Sequence, residues 1–86
     1  MCKRNMRIRI CRLTKREYEA ITDDANFTDE QMEVFKQLNK DQYYDVAIMT
    51  MLQLSPRRYY EVKSIVVDKV ERIAREKGFI DAILEH

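Results

Sequence analysis

Glycine and proline occur once each, at Gly78 and Pro56, tryptophan is absent, and the single histidine is the last residue, His86. One glycine and one proline leave few tight turns, which argues against an all-β design built on hairpins. No apolar run approaches the roughly 18 residues of a membrane span, and no signal-peptide hydrophobic segment is present. The chain is therefore expected to be soluble and cytoplasmic, with no membrane partner. Cys2 and Cys11 are too few and too near one end for a disulfide framework, and His86 alone offers no zinc-ligand spacing. No metal or other cofactor is expected. Without an internal histidine or a glycine-rich phosphate loop, and with the Asp23–Asp24 pair at a helix end where capping explains it, the chain is not read as an enzyme.

What remains is a single small domain of 86 residues, 45% hydrophobic and 36% charged, a balance that fits a folded, helix-rich protein rather than a disordered one. Its net charge of +1 conceals a strong asymmetry. Residues 1–16 hold Lys3, Arg4, Arg7, Arg9, Arg12, Lys15 and Arg16 and no acid. Residues 17–47 hold nine acids against Lys36 and Lys40, and the rest is nearly balanced. Distribution, not total, carries any message about partners.

The same helix-start pattern occurs three times. In LTKREY, Thr14 is an N-cap with Glu17 as the returning arm and Leu13–Tyr18 as a hydrophobic staple. FTDEQM repeats it with Thr28, Gln31 and the pair Phe27–Met32, and places Asp29 and Glu30 where the helix dipole favours acids. In LSPRRY, Ser55 caps, Pro56 takes the first helical position and Leu54 faces Tyr59, but the first turn holds Arg57 and Arg58. Cations there oppose the dipole, by a few tenths of a kcal/mol each on an order-of-magnitude basis. A helix start that accepts this cost is a candidate for meeting an anion.

Helical periodicity continues from each start. Met32, Val34, Phe35 and Leu38 form one apolar stripe, Tyr44, Ile48, Met51 and Leu52 a second, and Tyr59, Val62, Val66, Val70 and Ile73 a third that stops at Gly78. The β-branched Ile65, Val66 and Val67 locally prefer a strand, but the stripe and cap outweigh them. Helices are expected near 14–24, 28–39, 42–53 and 55–77, with a weak fifth segment at 79–85. The fold class is all-α: a small bundle of four to five helices containing a helix-turn-helix over residues 13–78, preceded by a basic arm or short strand (1–12) and followed by a tail or short helix (79–86). MRIRICR alternates with period two, yet no partner strand is visible in the chain, which favours an arm or pairing with another chain.

Two helices joined by about three residues, the second opening on a cap and proline, match the helix-turn-helix plan. There the second helix enters the DNA major groove with its N-terminal residues at the base edges. On a wheel of 100° per residue, Arg57, Tyr60, Glu61, Ser64 and Asp68 lie opposite the core stripe, with Arg58 on the shoulder. Arginine matches guanine, serine either base type and glutamate the cytosine amino group, while Tyr60 suits a phosphate or a thymine methyl. Candidate DNA contacts are Ser55, Arg57, Arg58, Tyr60, Glu61, Lys63 and Ser64, with backbone contacts from Lys3, Arg4, Arg7, Arg9 and Arg12. A purely structural account instead pairs Arg57 with Glu61 on a solvated face.

From Phe27 to about Ile73 the chain resembles the fourth region of bacterial sigma factors and the small phage regulators related to it. The resemblance rests on Thr28 and Gln31, on Ile48, Met49, Leu52, Gln53, Leu54 and Ser55, and on the following RRYYEVKSIVVDKV. It implies that Ser55 to Ser64 form a recognition helix and that the protein regulates transcription. Two positions depart from the pattern. Gln53 stands where the family has its turn glycine, so it must adopt a left-handed conformation or change the turn, and Met49 replaces an alanine that lets the helices approach.

The leading expectation is a transcriptional regulator of phage or mobile-element type that binds double-stranded DNA as a homodimer, with Ile65 and Val67 at the dimer contact or packed on the N-terminal helix. The alternative is a protein-interaction module on a degenerated helix-turn-helix. Its acidic middle (Asp23, Asp24, Asp29, Glu30, Glu33) would engage a basic partner such as RNA polymerase, a repressor or a nuclease. The two differ in geometry: acids on the face of Arg57 and Tyr60 exclude DNA, whereas acids behind it do not.

Overall fold

Capping side chains mark where three of the helices start. The computed structural model describes residues 7–40 and 44–85. A two-residue strand β1 (Arg7–Ile8) leads into a 3-10 turn at Ile10–Arg12 and then α1 (Lys15–Ala25). Helices α2 (Asp29–Lys40), α3 (Asp45–Leu52), α4 (Pro56–Lys77) and α5 (Ile80–Ile83) follow, with strand β2 (Leu84–Glu85) last. Thr14 and Glu17 close a capping box at 3.1 and 3.0 Å, and Thr28 and Gln31 a second at 3.2 Å in both directions. Ser55 accepts the Arg58 N–H at 3.2 Å, and Pro56 opens α4 as expected.

The fold is all-α, and α4 is its centre. Tyr59, Val62, Val66, Val70 and Ile73 are all buried, so the third stripe faces the core over about four turns and the β-branched run inside it stays helical. Val34 and Phe35 of α2, Ile21 and Ala25 of α1, Ile48 and Met49 of α3, and Ile83 of α5 close around it. Tyr18 stacks on Phe35 at 4.8 Å between ring centroids, and Phe27 tilts onto the same ring at 5.0 Å. Gln37 is buried with its amide oxygen unpaired. No helix among the described residues is long and apolar enough to cross a membrane.

Two expectations are corrected. The N-terminal stretch does have a partner in its own chain: β1 runs antiparallel to β2, with Arg7 opposite Glu85 and Ile8 opposite Leu84. The Arg9 N–H reaches the Ile83 carbonyl at 2.7 Å, and the Asn39 amide holds the Ile10 carbonyl at 3.1 Å. The expected fifth segment is thus helical for one turn and then extended.

The second stripe is the other correction. Tyr44 and Met51 were expected inside, yet they are 89% and 46% exposed, while Met49 is buried beside Ile48. Helix α3 has only two turns, and its inward face runs Asp45, Ile48, Met49, Leu52, a three-one-three spacing of one helix side. Asp45 orients that face by binding α4.

Candidate nucleic-acid interface

The connection between α3 and α4 is three residues, Gln53 to Ser55. Gln53 adopts the left-handed conformation, φ 58° and ψ 42°. Its N–H bonds to the Thr50 carbonyl at 3.2 Å and the Leu54 N–H to the Met49 carbonyl at 2.9 Å. These two bonds, spanning three and five residues, form a Schellman motif, so the Met49 and Thr50 carbonyls of α3 are satisfied. The glutamine thus holds the conformation that a glycine takes without strain.

A polar lock fixes how the two helices meet. The buried Tyr59 hydroxyl donates to Asp45 Oδ1 at 2.6 Å, and Lys63 Nζ donates to both Asp45 oxygens at 3.1 and 3.2 Å. Burial alone would raise the Asp45 pKa, but the bonds from Tyr59 and Lys63 and the charge of Lys63 outweigh it and hold the carboxyl below its ordinary value. Burial first, and then the bond to Asp45, push the Tyr59 hydroxyl well above the usual phenol range. Lys63, a candidate DNA contact by position, is therefore occupied in joining α3 to α4. Sequence spacing places Tyr59 and Lys63 one turn apart but does not disclose Asp45 as their shared partner.

The start of α4 presents Pro56, Arg57, Arg58, Tyr60, Glu61 and Ser64 at the surface, as the wheel required. Arg57 has no hydrogen-bond or ion-pair partner among the described residues, and Tyr60 is 49% exposed with its ring edge against Tyr59. Arg58 differs. Its Nε and Nη2 both donate to Glu30 Oε1, at 3.1 and 2.5 Å, and its Nη1 donates to Glu61 Oε1 at 2.5 Å. The bonds to Glu30 and then Glu61 raise its pKa further above the ordinary guanidinium value. The Arg57–Glu61 pair of the purely structural account is replaced by Arg58–Glu61.

The acidic middle divides between two places. Glu30 and Glu33, at the start of α2, border an open groove of about 110 Å³ with Leu52 and Leu54, on the Arg58 shoulder of α4. Asp24 pairs with Lys77 at 3.0 Å, at the far end of α4, about 30 Å from Arg57 by helical rise. Glu30, Glu33 and Asp24 therefore flank or avoid the Arg57–Tyr60–Ser64 face, which Glu61 and the exposed Asp68 share.

On the opposite shoulder the N-terminal segment runs beside α4. Ile8, Arg9, Ile10 and Cys11 line a groove of about 140 Å³ with Leu38, Lys63 and Val67. Val67 thus packs toward this segment, leaving Ile65 the exposed member of that pair. Arg12 donates to the Leu84 carbonyl at 3.1 Å, so this arm arginine ties down β2. Lys3, Arg4 and the side chain of Arg7 lie outside the described residues.

Sequence periodicity missed one surface. The outward side of α3 and its turn carries Tyr44, Val46, Thr50, Met51 and Gln53, none charged, and Val46 is 70% exposed. An uncharged run such as VAIMTML reads as buried, which is why the signal was lost. Comparisons of the chain with family models, curated proteins and solved structures give no match.

Proposed function

We propose that the protein is a DNA-binding regulator of transcription in which α3, the Gln53–Ser55 turn and α4 act as a helix-turn-helix. The observation that carries this reading is the exposed start of α4: Arg57, Tyr60 and Ser64 share one face, Arg57 has no partner among the described residues, and a closed three-residue turn sets their position. In this reading the first turns of α4 enter the major groove. Arg57 takes guanine O6 and N7, Ser64 a neighbouring base edge, and Tyr60 a phosphate or thymine methyl. Asp68 limits the depth, because its carboxylate repels phosphate beyond the third turn. The resemblance to sigma factor region four supports the same assignment, and so does the left-handed Gln53, which keeps the turn despite the missing glycine. A homodimer on two half-sites would supply the affinity a single small module lacks.

A second reading has its own support. The charge-free side of α3, next to the groove of Glu30, Glu33, Leu52 and Leu54, suits a protein segment that carries an apolar side chain flanked by lysine or arginine. RNA polymerase is a candidate partner for this surface, which meets the DNA-facing start of α4 at the Glu30–Arg58 pair.

The test is a fluorescence-anisotropy titration of a random-sequence duplex at low and physiological salt. Wild type is expected to bind with affinity that falls steeply with salt, and Arg57→Ala to weaken it about tenfold, the value of one lost charge-assisted contact. Absence of binding at the lowest salt would overturn the DNA reading and leave the protein partner.

A further inference from the structure

The geometry points to Glu30 as a specificity-determining residue that acts through Arg58, holding this arginine away from DNA until a correct site displaces it. The inference rests on the DNA-binding reading and deepens it. Two adjacent arginines open α4, and the fold treats them differently. Arg57 has no partner among the described residues, whereas Arg58 has three of its donor bonds committed to carboxylates from two helices.

An exposed ion pair ordinarily contributes little, because two long side chains must be ordered to form it. This one is better prepared. The Arg58 backbone N–H is already fixed by Ser55, Glu30 sits in the first turn of α2, and the Nε–Nη2 edge meets Oε1 side-on. The α2 dipole favours an acid at that position whether or not Arg58 is present, so the carboxylate is retained locally and used by the tertiary structure.

Consider what DNA must do to use Arg58. A phosphate offers one anionic partner in exchange for two, and it approaches two carboxylates that repel it. A guanine edge offers two acceptors together with the contacts of Arg57, Tyr60 and Ser64, so the exchange is favourable only when the whole face fits. A latent arginine of this kind weakens binding to arbitrary sequence more than binding to the right one, which is specificity by penalising the wrong partner. Glu61 contributes from the same helix, but it faces the groove and has its own base-reading role. Glu30 has none, and its effect on DNA passes through Arg58.

The experiment measures binding to a random-sequence duplex across a salt series for wild type, Glu30→Gln, Arg58→Ala, the Glu30→Gln/Arg58→Ala double variant and Arg57→Ala, with thermal melts to confirm folding. Glu30→Gln is expected to bind about five- to tenfold tighter, with a salt slope steeper by about one counterion. Arg58→Ala is expected to change random-duplex binding much less than Arg57→Ala. In the double variant the gain must vanish, because it operates through Arg58. Unchanged affinity and slope in a folded Glu30→Gln would overturn the inference while Arg57→Ala still tests the DNA reading. A gain that persists in the double variant would also overturn it, by reducing Glu30 to a bulk charge. If neither wild type nor Glu30→Gln binds, both the inference and the DNA reading fall.

Discussion

Helices α2 and α4 begin with the same grammar and opposite charge. Each has a hydroxyl cap and an apolar residue before it, but α2 follows with Asp29 and Glu30 and α4 with Arg57 and Arg58. At α2 every local preference agrees: the acids complement the dipole and Gln31 returns to the cap. At α4 the cap and proline favour the helix while the arginines oppose the dipole. The fold relieves half of this conflict by bringing the two starts together, so that Glu30 of one holds Arg58 of the other. Arg57 keeps the other half. A helix start optimised for stability and one left unrelieved lie side by side, and the unrelieved one is where an anionic partner gains most.

The largest effect is expected where α3 is fastened to α4. Asp45→Ala removes the acceptor of a buried hydroxyl and is expected to cost about 2–3 kcal/mol in urea unfolding. Because the folded-state pKa of Asp45 lies below its ordinary value, its contribution is complete above the unfolded-state pKa of about 4 and lost as pH falls through the lower, folded-state one. Wild type should therefore lose its advantage over Asp45→Ala on acidification, and a constant difference across pH would contradict the lock.

The two starts can then be compared directly. Thr28→Ala/Gln31→Ala is expected to cost about 1–1.5 kcal/mol, since the two changes together remove both side-chain arms of a capping box, and Ser55→Ala about 1 kcal/mol, since Ser55 has a single arm. Equal or reversed losses by thermal melting would show that the reciprocal arm adds nothing. Gln53→Gly should stabilise by roughly 0.5–1 kcal/mol, because glycine reaches φ 58° without strain and loses part of that gain to its freedom in the unfolded chain. The smallest effect sharpens the comparison most. Arg57→Glu should raise stability by about 0.5 kcal/mol, by replacing a cation with an anion at the dipole's positive end. On the proposed DNA-binding reading the same change should abolish binding to duplex DNA, so a variant that is more stable and does not bind is the expected signature.

Much of the fold was legible in the residues themselves. Cap, proline, stripe and terminal glycine all agree over α4, and its wheel separated Tyr59, Val62, Val66, Val70 and Ile73 from the exposed face without error. The illegible parts depend on partners distant in sequence. Helix α3 is two turns of almost uniformly apolar residues, so no periodicity distinguishes Met49 from Met51, and Asp45 decides the matter through residues 14 and 18 positions later. Likewise Arg58 reads as a free cation until Glu30, 28 positions earlier, is placed beside it. The pairing of β1 with β2 joins opposite ends of the chain, and strands of two residues leave no pattern to read.

The most direct measurement is an amide proton–nitrogen correlation spectrum of the labelled protein, titrated with duplex DNA. The account predicts that shifts concentrate on Ser55, Arg57, Tyr60, Glu61 and Ser64, with little change at Asp23, Asp24 and Lys77 at the far end of the molecule. Shifts confined to the outer side of α3, or a spectrum that DNA leaves unchanged at low salt, would contradict it.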